Sequence, residues 1–140
     1  MNSSTLAFES MIPVRRVPAE ARLHVLPRHF GRHMLTFESA VYVFAHQLCS
    51  GYEGGYWHYN EIGNGGFFMA PDCGPLHLLV EGNGFSGDLS ADAAGITFCL
   101  FACSHLSYRF TDPTFARHFH LLRDFAYEHP ERRLIFAAID

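Results

Sequence analysis

The chain lacks lysine, and its ten basic residues are all arginine. No arginine occurs between His33 and Tyr108, whereas the same span carries seven carboxylates. Proteins that bind nucleic acid through phosphate contacts present a basic patch or stripe. The middle of this chain cannot supply one, and the formal net charge of −4 is too mild to identify a partner. The acidic middle and the basic N-terminal part remain a hint about partners.

Long apolar runs and paired cysteines are also absent. The longest uncharged apolar run, residues 93–103, is too short to span a bilayer. Residues 1–10 show no basic start followed by an apolar core, as a secretory signal would. The four cysteines form no CxxC pair. We therefore expect a cytoplasmic protein with reduced thiols and no membrane association.

Recognisable catalytic and metal-binding motifs are missing as well. There is no HExxH or Walker sequence and no serine hydrolase signature. Gly82-Asn83-Gly84 and Gly87 have GxGxxG spacing but are interpreted as turns and not as a phosphate loop. His29 and His33 have a spacing that zinc ligands can use, but Gly31 lies between them. His58 and Glu61 are three residues apart, which places them on opposite faces of a strand. We therefore predict no metal, no cofactor and no enzymatic activity.

The remaining composition favours one folded domain spanning residues 1–140, since 49% of the residues are hydrophobic. Helical periodicity predicts a helix over 34–49. Ser90 is a predicted N-cap for a helix over 91–108 that is apolar nearly all round and therefore central. Asp112-Pro113 predicts the start of another helix, Pro27 the end of an early one, and 134–139 a helix or strand.

The segment GGYWHYNEIGNGGFFMAP, residues 54–71, predicts a β-hairpin. Asn64-Gly65 favours a type I′ turn, with φ > 0 at both residues. Ile62 would then face Phe67, and Glu61 would face Phe68; a longer loop would exchange the faces of one strand. Strands at 76–81 and from Phe85 would continue an antiparallel meander. The predicted class is α/β of the α+β type: a three- to four-stranded meander packed against a buried central helix and flanking helices.

Four segments together resemble the KlcA/ArdB family of plasmid-borne antirestriction proteins. They are LPRHFGRHMLTFES (26–39), GGYWHYNEIGNGGFFMAP (54–71), EGNGFSGDLSADAAGI (81–96) and HPERRLIFAAID (129–140). The resemblance implies a family-specific mixed fold and protection of incoming plasmid or phage DNA from host type I restriction systems. It implies no active site. Residues 1–20 match poorly and are interpreted as a variable N-terminal segment.

The expected partner is the host type I restriction complex, contacted directly or through a third factor. Scattered carboxylates cannot imitate a duplex, which carries one charge per ~1.7 Å of axis. Strong direct DNA binding is not expected. The aromatics Trp57 and Phe68 are predicted core residues. Polar residues without an evident folding role form the candidate functional surface: His58, Asn60, Glu61, Asn64, Asp88, Asp92 and Asp140.

Simpler roles and two other functions stay open. Asn64 could serve only the turn, and Asp92 only the helix dipole. One alternative is a small hydrolase that uses His58 and a carboxylate. The other is a nucleic-acid-binding module, although no basic residue lies near the aromatic hairpin along the chain. It would use arginines near the chain ends: Arg15, Arg16, Arg28, Arg32, Arg132 and Arg133.

Overall fold

The computed structural model describes residues 11–140; the predictions that concern residues 1–10 lie outside this part of the chain. Five α-helices and five β-strands follow one another in the described residues. In chain order they are β1 (Val14–Arg16), α1 (Arg22–Phe30), α2 (Met34–Leu48), β2 (Trp57–Ile62), β3 (Phe67–Pro71), β4 (Leu76–Val80), β5 (Phe85–Leu89), α3 (Ala91–Arg109), α4 (Thr114–Ala126) and α5 (Arg132–Ile139).

The strands form two antiparallel sheets, of order β1-β2-β3 and β4-β5, so the prediction of one continuous meander is wrong. The outer edge of β3 is covered by α3 instead of a fourth strand. The Met69 backbone N–H lies 3.5 Å from the Cys99 sulfur, and the same thiol lies 3.6 Å from the Met69 carbonyl. With that edge occupied, β4 pairs only with β5.

Residues 63–66 lie between β2 and β3, and because Ile62 pairs with Gly66 the loop proper has three residues, 63–65; the predicted two-residue type I′ turn is wrong. The Gly65 and Ile62 backbones close it, with Gly65 N–H donating to Ile62 O at 2.9 Å and Ile62 N–H donating to Gly66 O at 2.9 Å. Within the loop, positive φ occurs at Gly65, at 98°, and not at Asn64. Glu61 therefore faces Phe67, and the side chains of β3 lie on exchanged faces relative to the prediction.

Asn64 stabilises this loop with its side chain. Its Oδ1 accepts from Gly66 N–H at 2.9 Å, and its Nδ2 donates to the Leu121 carbonyl of α4 at 2.9 Å. The turn is thus held against a helix almost sixty residues away in sequence, a contact that local turn preferences do not encode. The loop that this long-range bond holds is one residue longer than the predicted two-residue turn.

Helix α3 is the buried centre of the domain, as predicted. Ser90 caps it by accepting from Ala93 N–H at 3.1 Å, and the helix packs against α2, α4, α5 and β3. Trp57 and Phe68 are 2% and 1% exposed, which confirms their place in the core. The α+β class with a buried central helix and flanking helices is therefore confirmed.

Two helix ends differ from expectation. Helix α1 continues through Pro27 and ends at Gly31, whose φ of 54° is left-handed. Proline removes one helical hydrogen bond and crowds the preceding turn, but here the helix continues past it, and the glycine with positive φ ends it. The last element, left open as helix or strand, is helix α5.

Candidate functional surface

Glu61 on β2 is the centre of a charged cluster formed with β1 and α1. Its Oε1 accepts from Arg15 at 2.9 Å, and its Oε2 accepts from Arg28 at 2.7 Å and from His29 at 2.8 Å. Partial burial opposes ionisation, but the hydrogen bonds from Arg28 and His29 outweigh it and hold the pKa of Glu61 below its usual range. Glu61 therefore joins the edge strand, α1 and β2.

His29 of this cluster and His118, which bonds its backbone, both have lowered pKa values. Burial lowers the pKa of His29, although its hydrogen bond to Glu61 opposes the shift. His118 donates from Nε2 to the His29 carbonyl at 3.1 Å. Burial, together with nearby positive charge, lowers the pKa of His118 to about 4. Both rings are therefore neutral donors at neutral pH, and the anionic charge of Glu61 is balanced by the arginines.

Arg22 lies against the aromatic side chains of the hairpin, which corrects the interpretation that no basic residue accompanies them. Its guanidinium carbon is 3.9 Å from the Tyr59 ring centre and 4.7 Å from that of Tyr56. It also donates to the Trp57 carbonyl at 2.8 Å. Helix α1 brings this residue to β2 from 35 positions away, so spacing along the chain could not reveal it.

His58 and Asn60 are separated from Glu61 by the strand alternation. His58 Nε2 lies 3.3 Å from Asp72 Oδ1, and the Asp72 side chain is 64% exposed. Asn60 is 5% exposed, and its Nδ2 has no hydrogen-bond partner among residues 11–140. The structure thus places His58 beside a carboxylate at the surface and Asn60 in the interior.

Asp88 belongs to a polar row on the outer face of the β4-β5 hairpin. His77 Nδ1 lies 2.6 Å from Asp88 Oδ1, and His77 Nε2 lies 3.0 Å from Ser86 Oγ. An ionised carboxylate only accepts, so Nδ1 donates to Asp88, and Nε2 forms the contact with the Ser86 hydroxyl, which can both donate and accept. The order carboxylate, histidine, serine is that of a hydrolase triad, but the His77 and Asp88 side chains are 61% and 78% exposed. Water surrounds them, so the row lacks the enclosed setting that nucleophilic catalysis uses.

Asp92 is fixed by a second network at the start of α3. Glu131 N–H donates to His129 Nδ1 at 3.0 Å, which leaves the Nε2 proton of His129 to bond Asp92 Oδ2 at 3.0 Å. Glu131 also accepts from the Ser90 backbone N–H at 2.9 Å. Asp92 is therefore more than a helix-dipole partner: it joins α3 to the segment before α5.

Asp140 follows the helix that packs beside the same region. Its backbone N–H donates to the Phe136 carbonyl at 3.1 Å, which fixes it to the last turn of α5. Asn83, in the turn between β4 and β5, donates from Nδ2 to the Ala138 carbonyl of the same helix at 2.9 Å. We name Asp88, Asp92 and Asp140 the acidic corner; they lie on β5, at the start of α3 and after α5, three elements that contact one another, with Asp92 and Asp140 near opposite ends of α5.

The structure divides the candidate residues into two groups: those of the β2-β3 hairpin and those of the acidic corner. Sequence reasoning missed the partners that orient the second group, above all His77, His129 and Glu131. The sequence does contain a signal for His77, because pairing across the Gly82-Asn83-Gly84 turn sets it opposite Asp88. No local pattern points to His129 or Glu131, because they lie about forty residues from their partners.

Other classes of site receive little support in the described residues. Residues 11–140 contain no group of three or more His, Cys, Asp or Glu side chains arranged to hold a metal. Burial raises the pKa of the Cys99 thiol to about 12 and that of Cys103 well above its usual range, which makes both inert at neutral pH. Within the same residues no helix has the length and apolar character needed to cross a membrane.

Comparison with known proteins gives consistent matches along the chain. Residues 50–140 match the family of antirestriction proteins. The Escherichia coli antirestriction protein KlcA is 48% identical over 129 residues, covering 87% of this chain and 91% of the relative. The uncharacterised protein YfjX of Escherichia coli K12 is 36% identical over 137 residues, covering 94% and 90%.

The fold also matches a solved structure. The similarity has a TM-score of 0.86 and 44% sequence identity, and it covers 100% of both chains. That structure belongs to work on the KlcA and ArdB proteins, which describes a novel fold and antirestriction activity against type I DNA restriction systems in vivo but not in vitro.

Proposed function

The chain belongs to the antirestriction protein family, and on that basis we propose that it protects incoming plasmid or phage DNA from type I restriction systems of a bacterial host. The observation that carries the proposal is the match, over the full length of both chains, to a protein structure linked to this activity in vivo. The protein would act in the cytoplasm, where restriction takes place.

The protein acts by contact with other proteins and not by imitation of DNA. A DNA mimic needs closely spaced, uncompensated charges, since a duplex carries one charge per ~1.7 Å. Here Glu61 is balanced by Arg15 and Arg28, and Asp88 and Asp92 each bond a histidine. Such dispersed and paired carboxylates suit a small docking surface, where charge sets specificity and association rate.

A third cellular component connects the protein to the restriction complex. The solved relative is active in vivo but not in vitro, which is the behaviour expected when an extra factor is needed. Within this scheme the acidic corner is the docking surface, because its side chains are exposed and His77 and His129 orient those of Asp88 and Asp92. The protein has no catalytic step of its own.

A nucleic-acid-binding module remains the second candidate, because arginines gather at the aromatic hairpin. Arg22 lies on Tyr56, which is 52% exposed, and Arg16 on β1 is exposed next to β2. Bases stack on aromatic side chains, and arginine contacts phosphate. A mobility shift that weakens steeply with salt would favour this candidate over a protein partner.

The decisive experiment is phage plating on a host with an active type I system, with and without the expressed protein. Unmodified phage should plate more efficiently when the protein is present, and a host that lacks the restriction system should show no change. Equal plating at confirmed soluble expression would refute the proposed function.

A further inference from the structure

An apolar groove lies between α2 and α3, away from both groups of candidate residues. Its volume is about 730 Å³, which falls in the range of ligand-binding clefts, roughly 300–1,000 Å³. The side chains that form it come from one face of α2 and from the last turns of α3. They include Leu35, Ser39, Val43, Phe44, Leu106 and Arg109.

The floor of the groove is rigid and aromatic. Phe44 stacks on Phe101 with ring centres 5.4 Å apart, and the edge of His105 meets Phe44 at 6.0 Å. Leu106 is 3% exposed beneath them. A floor fixed by stacked rings keeps the groove open without a ligand, so little conformational entropy is lost on binding.

The rim carries exposed apolar side chains in a row. Leu35 is 64% exposed and Val43 is 50% exposed, and with Ser39 between them they follow the i, i+4, i+8 spacing of one helix face. A single exposed leucine needs no explanation, but here two exposed apolar side chains share one ridge beside an apolar groove.

Arg109 is the one formally charged side chain that lines the groove; the Asp112 carboxylate, three residues further on, lies outside the lining and is 3.2 Å from His33, the residue before α2. Arg109 lines the groove at the end of α3, and the residues beside it, Leu35 and Thr36, occupy the first turn of α2. The N-terminus of a helix carries a partial positive charge. None of the groove-lining residues is acidic, so this end is complementary to a carboxylate.

We propose that the α2–α3 groove binds an amphipathic helix of a second protein, with the apolar face in the groove and a carboxylate beside Arg109. This inference rests on the proposed function and identifies the chemistry of its third component. The groove follows α2 from Leu35 to Gln47, a length of about 18 Å at 1.5 Å per residue. That length accommodates about three helical turns, the usual scale of helix-in-groove recognition.

A second copy of the chain fits the groove less well. A two-fold dimer uses the same patch on both subunits, and the groove lining of a second copy offers no carboxylate to pair with Arg109. An acidic amphipathic helix balances that charge and covers the exposed ridge.

The test uses two groove variants and one matched control. Val43→Asp places a charge on the rim, and Arg109→Glu reverses the charge at the end. Leu23→Asp is the control, since Leu23 is 85% exposed on α1 and does not line the groove. At equal soluble expression, we expect the plating protection to fall at least tenfold in both groove variants and to be retained in the control.

Binding by the purified protein is measured with 1-anilinonaphthalene-8-sulfonate, an apolar anion that shares the chemistry of the expected ligand. Saturable fluorescence enhancement should weaken several-fold in both groove variants and stay unchanged in Leu23→Asp. Near-ultraviolet circular dichroism verifies native packing, since loosely packed proteins also bind this dye.

The outcomes separate this inference from the proposed function. If the wild type protects and both folded groove variants protect equally, the groove inference is overturned and the function stands. Dye binding that is unchanged in the variants overturns the assigned ligand chemistry. A wild-type dimer that dissociates in Val43→Asp, detected by sedimentation velocity, assigns the groove to a second copy and also overturns it. If the wild type fails to protect, the proposed function falls, and with it the partner helix.

Discussion

Replacing Gly95 by alanine tests the closest contact between α3 and the sheet. A Cβ atom at this position would lie 2.5 Å from the Met69 carbonyl oxygen and 2.5 Å from the Ala70 Cβ. Real Cβ atoms do not approach other atoms so closely, and the carbonyl is part of β3 and cannot rotate away. Gly95→Ala therefore requires α3 and β3 to separate.

Two opposing effects set the change in the free energy of unfolding that Gly95→Ala causes. Alanine is favoured over glycine inside a helix by roughly 1 kcal/mol, whereas inserting a methyl group into a packed core costs about 1–3 kcal/mol. The fixed backbone oxygen places this site at the upper end of that range. We expect a net loss of about 1–2 kcal/mol, which lowers the melting temperature by roughly 3–8 °C for a domain of this size.

Thermal unfolding followed by circular dichroism measures the effect, with Gly82→Ala as the control. A Cβ atom added at Gly82 would meet no other atom within 4 Å, and the φ of Gly82 is not positive, so this change should be nearly neutral. Adding Ala70→Gly to Gly95→Ala should restore only part of the loss, because the Met69 carbonyl contact remains. A Gly95→Ala variant as stable as the wild type would show that α3 and β3 are not in such close contact.

Three further changes probe the candidate surface and the core. Asp88→Asn with Asp92→Asn should leave a folded protein with weaker phage protection, because asparagine still accepts hydrogen bonds but lacks the charge; a folded, fully protective double variant would remove the acidic corner from the mechanism. Asn64→Val should lower stability by about 1–3 kcal/mol, through loss of the bond to the Leu121 carbonyl rather than through its φ; an unchanged melting temperature would contradict this reason. Because the pKa of His118 falls from 6.5 to about 4 on folding, the unfolded state binds more protons between these values, and stability falls as the pH is lowered through this window, by up to ~1.4 kcal/mol per pH unit. His118→Phe should reduce that slope in urea unfolding between pH 6.5 and 5, and identical slopes in the two proteins would contradict the assignment.

Most of the secondary structure follows from local patterns along the chain. Ser90 before an apolar run predicts α3, and helical periodicity predicts α2 to within one residue. Helix caps and hydrophobic periods depend on residues a few positions apart, so the sequence displays them directly. The combined motifs also indicate the family, which the comparisons confirm.

The sequence predicts the candidate site only as a set of residues without their partners. The candidacy of Asp92 follows from its place before the central helix, but its bond to His129 spans 37 positions. Glu61 is a candidate because no folding role for it is evident along the chain, whereas the structure gives it three bonded side chains from β1 and α1. Such contacts depend on which elements pack together, and a single sequence does not encode that in any local period.

Residue order alone was thus enough to predict most of the elements, the buried central helix and the family of this protein. Tertiary packing was needed to establish that β1 and not β4 completes the first sheet, that Asn64 lies in a three-residue loop held by Leu121, and that arginines reach the aromatic hairpin. One cause is common to all three. Backbone edges and side-chain donors bind whichever partner the packed core brings within about 3 Å, and that partner is fixed by the whole fold rather than by neighbouring residues.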